Sequence, residues 1–541
     1  PAGHWAEVGD VTKQLVFSAW NAVPDAIATI CSYEAQARAF AGADGNVTYS
    51  NTYERVRPLL RFQTDAAGRL TGMPALMRIM PAPRLAREVD PLRIAVELGD
   101  GTPPSLDVVL GEATRRCSAL LAELPPGDAD GRIDERWYWA AIAMLEGNPA
   151  LMTWMQAASG WSEAIPERES SDQFQAHVDH MVETMRDGLD LGRRPPDLAE
   201  VLALFALGGP GACSVRALRR VAPDVEWNAA ALLSGAARIA NGFRTLFNLP
   251  ESIVLIQNRD ELPYWRQALE YAVEGNLQAV LDEQVHVLPE QLGLAGAPSA
   301  DRIDGVARAV AESLSMRSAQ LKVDDVRVKQ RRLAVDDVMI RCRFALRFGD
   351  MRDDTGGAIA RADSVRAAFN SPFRPFVLAS TSVGQEGLDF HTWCHSVVHW
   401  NLPSNPVDME QREGRVHRYK GHAVRRNVAQ DIGLHALAGW GGEGDPWTYL
   451  FERAEGTDSG QESDLAPWWI YEAGDARIQR RVLLLPLSRD VGRLKNMKRQ
   501  LALYRMVFGQ PRQEDLIAYL DHALPEDAPE DWQISLLPPA T

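Results

Sequence analysis

Short apolar runs recur at both ends of this chain, and each lies beside a stretch of helical period. The runs are "KQLVFSAW" at 13–20, "VMIRCRFALRFG" at 338–349, "PFVLAST" at 375–381 and "HSVVHWNLP" at 395–403. The apolar cores of 13–20, 375–381 and 395–403 fit buried strands, and 338–349 has a strand-like core. The helical partners are "AVPDAIATICSYEAQARAF", starting near Pro24–Asp25, and "RADSVRAAFN" at 361–370, with Val365, Ala368 and Phe369 on one side. A third, "PVDMEQREGRVHRY" at 406–419, starts after Pro406 with Asp408 and Glu410 in its first turn, where the helix dipole favours acids. Strands alternating with helices in this way build a parallel α/β sheet.

Between the two α/β stretches the pattern is different. Residues 41–58 are loop-like, and Pro-rich patches follow at 81–91, 103–104, 125–126 and 195–196. Helical periodicity is predicted over 105–124, 132–146, 172–190, 197–208, 228–248 and 262–284. The expected organisation is a first strand and helix in 1–44, a mostly helical segment in 45–330, the rest of the α/β unit in 331–440, and a helical extension in 441–541. Within the last, 440–464 is expected to be a mobile link, with helices at 488–508 and 513–523. A chain of 541 residues has room for about two to four domains.

The formal charge of −16 excludes a uniformly basic coat for nucleic acid, though not a local basic groove. The five cysteines are far apart and form no CxxC, which fits a reducing cytoplasm rather than a disulfide framework. No apolar run has the length of a membrane span, and the N-terminus shows no secretory pattern. The expectation is a cytoplasmic protein without a membrane partner. Its start at Pro1 suggests a fragment of something longer.

Two segments carry the chemistry. "STSVGQEGLDFH" at 380–391 follows an apolar strand, and ligands of parallel sheets gather at such strand ends. Thr381 and Ser382 offer hydroxyls and N–H groups to phosphate oxygens, Gly384 and Gly387 permit close backbone approach, and Asp389 suits a ribose hydroxyl. The bland alternative is a tight βα turn with capping hydroxyls. In "QREGRVHR" at 411–418, Arg412, Arg415 and Arg418 are three apart, close to one face if the segment is helical. Clustered guanidiniums suit a phosphate; the alternative is a solvated basic face.

The two segments resemble motifs V and VI of superfamily 2 helicases and translocases: "TSVGQEGLD" at 381–389 and "QREGRVHR" at 411–418. "KQLVFSAW" resembles motif IV, the first strand of the second RecA-like lobe, and "VVHWNLPSNPVDMEQREGRVHR" resembles the Swi/Snf-like branch. The resemblance covers about 11–40 and 338–425. It implies ATP and Mg²⁺ as cofactors, Arg415 and Arg418 as arginine fingers, and Gly387, Asp389, Gln411 and Arg412 at the nucleotide side. It also implies Ser18, Thr381 and Ser382 at the nucleic-acid backbone, with DNA expected rather than RNA. The chain has no Gly-Lys dipeptide, hence no Walker A loop, and no Asp-Glu box after a strand. The first lobe is therefore expected in cis beyond Pro1 or on a partner chain, and these residues alone are expected not to hydrolyse ATP. Segments such as "RTLFNLPES" resemble large bacterial helicase-like proteins of antiviral defence, the DISARM kind among them, which implies defence-system partners. The rival expectation is a non-catalytic nucleic-acid- or protein-binding subunit on a helicase-like fold.

Other groupings point elsewhere. His391, Cys394, His395 and His399 are close in sequence, but no second ligand pair lies nearby, so no metal site is expected. His177 and His180 read as partly exposed structural residues. Trp137, Trp139, Trp154, Trp161, Trp227 and Trp265 read as core rather than as base-stacking platforms. The basic run holding Arg493, Lys495, Lys498, Arg499 and Arg505 fits a phosphate track and a solvated helix face equally.

Overall fold

The structure, a computed structural model, describes residues 2–6, 11–40, 56–99, 101–128, 130–157, 161, 172–257, 262–315, 319–329, 332–348, 362–381, 388–461, 465–484 and 488–508. Its centre is a parallel sheet of five strands: β1 (Gln14–Ser18), β4 (Ala345–Phe348), β5 (Val377–Thr381), β6 (Ser396–His399) and β7 (Gln479–Val482), in the order β4-β5-β1-β6-β7. β1 sits in the middle. Ser18 is the Cα partner of Thr381 on one side, and Phe17 partners His399 on the other. The strand at 14–18 and the strands between 345 and 482 thus share one sheet.

Apart from the edge strand β7, the sheet is buried on both faces, because its strands carry Leu15, Phe17, Leu378 and Val397 to one cluster and Val16 and Ala379 to another. Helix Ala22–Phe40 covers one side, and Ser32 in it bonds Ala345 O at 3.0 Å, tying it to β4. Helix Ala362–Phe369 buries Val365, Ala368 and Phe369, the face expected from its spacing.

Among the described residues of 56–315, the regular structure is helical, joined by turns and two isolated bridges. They hold two hydrophobic clusters, one around Trp137, Trp139, Trp154 and Trp161, the other around Phe243, Phe247 and Ile303. Those four tryptophans are buried, and Trp227 and Trp265 are partly buried against the second cluster. The stretch expected as one helix over 262–284 is two, Tyr264–Glu274 and Leu277–Gln291. Gly275 ends the first, and Asn276, at φ 52°, caps the second with its side chain. No single helix among the described residues is long and apolar enough to cross a membrane.

Four expectations are corrected. Residues 319–342 are not the end of a helical segment but an antiparallel hairpin of β2 (Ala319–Lys329) and β3 (Arg332–Cys342). Residues 440–464 are not a mobile link through their described length. Helix Pro446–Glu455 starts at an Asp445 cap, and Trp440, Leu450 and Phe451 are buried in a cluster with Tyr471. His177 is fully buried, its Nε2 accepting from Gly72 N–H at 3.1 Å. The helix expected over 406–419 stops at Gly414. Helix Asp490–Phe508 forms within 488–508, and 513–523 lies outside the described residues.

Candidate functional site

The site lies where the segment after β5 meets the segment after helix Pro406–Gly414. That helix starts as its sequence demands: Pro406 at its first turn, and the Asn405 side chain accepting Asp408 N–H at 2.8 Å. It stops at Gly414, and Val416 beyond it is buried in the sheet cluster that also holds Phe390. Arg412, Arg415 and Arg418 consequently do not share a helical face.

Arg412 points inward. Its guanidinium sits 5.3 Å from the Phe17 ring centroid and donates to Asn401 O at 3.4 Å, while its Nε has no hydrogen-bond partner. Burial pulls its pKa down to about 10, with Asp408 opposing and Arg415 reinforcing the shift. This arginine is turned toward the sheet and fastens the helix to it. Its neighbour Glu413 is buried as well. Burial alone would raise the Glu413 carboxyl, but Arg480 and His399 outweigh it and hold it at about 2. Arg480 Nη2 reaches Glu413 Oε2 at 2.9 Å, joining the helix to β7. Gln411 is exposed on the helix surface.

Arg415 caps the helix and Arg418 lies three residues beyond, in the turn. Here the two segments meet. Phe390 N–H donates to Arg415 O at 2.9 Å, and Arg415 Nη1 to Leu388 O at 3.4 Å. Arg418 Nε donates to Asp389 Oδ1 at 2.8 Å. Thus Asp389, Arg415 and Arg418 come together. Ser18 and Thr381 lie on the sheet rim as register partners, away from that pair in the chain. The Ser18 hydroxyl is buried and spent on its own turn, donating to Asn401 Oδ1 at 3.3 Å. Ser382 and Gly387 lie outside the described residues.

The turn that carries Arg418 is held from the helical part of the chain. Lys420 has φ 48°, a left-handed conformation unusual for a side-chain-bearing residue. Its N–H bonds Trp468 O at 2.7 Å and its Nζ meets Glu290 at 2.8 Å. Helix Leu277–Gln291 supplies Glu290 and also Glu283, Gln284, His286 and Gln291. These meet Arg425, Trp393 Nε1, Asp445 and Thr392 respectively. Sequence reading missed Lys420, Arg425 and Glu290, because their partners lie more than a hundred residues away and no local spacing reveals them.

The four neighbours His391, Cys394, His395 and His399 do not converge. Cys394 Sγ faces Lys13 O, His395 meets His422 at 3.0 Å, and His399 faces Glu413. Among the described residues no three His, Cys, Asp or Glu side chains are grouped to hold a metal ion. His391 is pushed by burial down to about 4 and is neutral near pH 7; Arg425 and Arg418 add to the shift, and Asp389 opposes it.

Residues 360–420 match the family described as Helicase conserved C-terminal domain. No curated protein and no solved structure matches the chain. The matched span runs from helix Ala362–Phe369 through β5 and β6 to Lys420, so it contains Asp389, Arg415 and Arg418. Together the parallel sheet and this match support a helicase C-terminal lobe, a unit of ATP-dependent nucleic-acid motors.

Proposed function

We propose that this chain is the second RecA-like lobe of an ATP-dependent helicase or translocase of the Swi/Snf-like branch, acting on DNA. In this reading, 45–330 is a mostly helical insertion that divides the lobe between 1–44 and 331–440, and 441–541, expected as a helical extension, also supplies the sheet's edge strand β7. Support for the division comes from β1 pairing with β5 and β6 across more than three hundred residues. Arg415 and Arg418 are the arginine fingers, completing an ATP site whose phosphate cradle and Mg²⁺ ligands come from a first lobe in cis or on a partner. A resemblance to antiviral-defence helicases extends the proposal to a cytoplasmic defence role.

One observation carries the reading: Arg418 is held by Asp389 rather than by a buried structural partner. Their side chains are 38% and 43% exposed, so the pair is worth only about 0–1 kcal/mol. Arg418 can therefore leave Asp389 for a phosphate oxygen at little cost, and Asp389 is then free for a ribose hydroxyl. A guanidinium donated in this way stabilises charge that develops on the transferring phosphoryl group. Arg412 suits that role less, because it is buried whereas Arg415 is partly exposed, although both guanidiniums lie near the Phe17 ring.

The test is ATP turnover, with and without DNA, by these 541 residues and by the longest natural polypeptide that contains them. Turnover only in the longer form is expected. Turnover by the 541 residues alone would contradict the division of labour, and turnover by neither would favour a binding subunit.

A further inference from the structure

We propose that the cleft between the helical part of the chain and the helices after the candidate site binds a small organic cation, an apolar body carrying a protonated amine, with the amine on Glu283. The proposal does not depend on the motor reading.

The cleft has a volume of about 420 Å³. Small-molecule sites run from about 300 to 1,000 Å³ and favour the seams between packed units. Leu92, Leu106 and Leu207 line it from the helical part. Leu437, Trp447 and Leu450 line it from helices Gly433–Leu437 and Pro446–Glu455. Protein interiors are packed as densely as organic crystals, so a seam left open between apolar walls forfeits contacts that a guest restores.

The two walls are held apart by fixed groups. Helix Leu277–Gln291 lies between them and is tied to both. Its Asp282 accepts from Gln278 Nε2 at 2.8 Å and from Arg220, and Arg220 Nη2 reaches Asp90, the cap of helix Pro91–Leu98, at 2.8 Å. Toward the other wall, His286 meets Asp445, the cap of helix Pro446–Glu455. These bonds set the walls without filling the space between them, so a guest meets a site that is already formed.

Charge selects the guest. The described lining residues include Glu274, Asp282 and Glu283 and no Lys, Arg or His. Asp282 has both oxygens engaged. Glu283 differs. Its Oε1 takes both bonds from Arg425, whose Nε and Nη2 are each 2.8 Å away, and among the described residues its Oε2 accepts none. The Glu283 side chain is 18% exposed. An anion in the cleft faces carboxylates whose arginine partners stand behind them. An ammonium instead gains a charge-assisted hydrogen bond at Oε2, while its apolar body takes the leucine and tryptophan walls out of water.

The experiment is a ligand-observed NMR titration of the 541-residue chain with phenethylamine and with hydrocinnamate, which share a phenylethyl body and differ in charge. The amine is expected to bind saturably, with a Kd on the order of 1 mM or below, and about 10- to 100-fold more tightly than the carboxylate. Ala95→Trp, at a partly exposed lining position, fills the cleft and lowers amine affinity about 10-fold or more. Glu283→Gln removes most of the amine's advantage over the carboxylate, a ratio read on one protein and so insensitive to a loss of stability. Absent saturation by the amine, equal binding of the two probes, or amine binding that Ala95→Trp leaves unchanged overturns the proposal.

Discussion

The ion pair between Glu283 and Arg425 joins the helical part of the chain to the helix that follows the candidate site, and removing its acid should loosen both. Arg425 is 0% exposed and Glu283 18%, with Nε and Oε1 2.8 Å apart. Removing one partner of a buried pair costs about 3–5 kcal/mol, because the other charge stays buried. Arg425 keeps its bonds to the Lys420 and Thr392 carbonyls, so Glu283→Ala should fall at the low end, about 3 kcal/mol. That is on the order of 100-fold in local opening. Amide hydrogen exchange reads it directly. The His422 N–H bonds His391 O at 2.9 Å and the Arg425 N–H bonds Gly421 O at 3.0 Å, so both should exchange about 100-fold faster. The control is Glu34→Ala, whose partner Arg38 is 81% exposed and whose loss should change exchange little. If Glu283→Ala exchanges like wild type, the helical part does not brace the Arg418 turn.

Acid should destabilise the lobe in two steps. His391 titrates near 4 when folded and near its ordinary 6.5 when unfolded. Below pH 6.5 the unfolded state takes up the proton first, so stability is lost as pH falls from there toward 4, by about 3 kcal/mol from this group. Burial shifts His399 and His422 the same way. Glu413, held at about 2, contributes only to loss below its ordinary 4.5. A urea midpoint that is flat between pH 7 and 5 would contradict the histidine step. Trp137→Ala should cost about 3–5 kcal/mol without weakening DNA binding, since the ring is buried beneath Arg194 with its Nε1 on Gly192 O. Lost binding with unchanged stability would make it a base platform after all.

Four of the five strands of the central sheet were legible, because burial on both faces leaves plain apolar runs such as "LVF" and "VLA"; the edge strand β7, "QRRV" in a segment expected to be helical, was not. So was the meeting of the two motif-bearing segments, now seen at Asp389 and Arg418. The three-residue spacing of the arginines misled, because it is a helical signal only while the helix lasts. The helix ends at Gly414, Val416 is buried in the cluster that holds Phe390, and Arg412 goes inward. The hairpin was hidden by Asp324–Asp325 and Asp336–Asp337, which interrupt alternation on both strands at positions that pair in register. In 440–464 the Gly-rich, acidic composition obscured a readable helix start, Asp445 before Pro446. The contacts of helix Leu277–Gln291 with the Arg418 turn were beyond any local pattern, since their partners are distant in the chain.

The account's central claim is that Arg418 acts on the phosphates of ATP. The measurement is the steady-state ATP turnover of Arg418→Ala, in the longest natural polypeptide containing this chain, beside wild type. Loss on the order of 10³-fold with intact folding is the predicted result. Unchanged turnover would remove Arg418 from the chemistry and contradict the account.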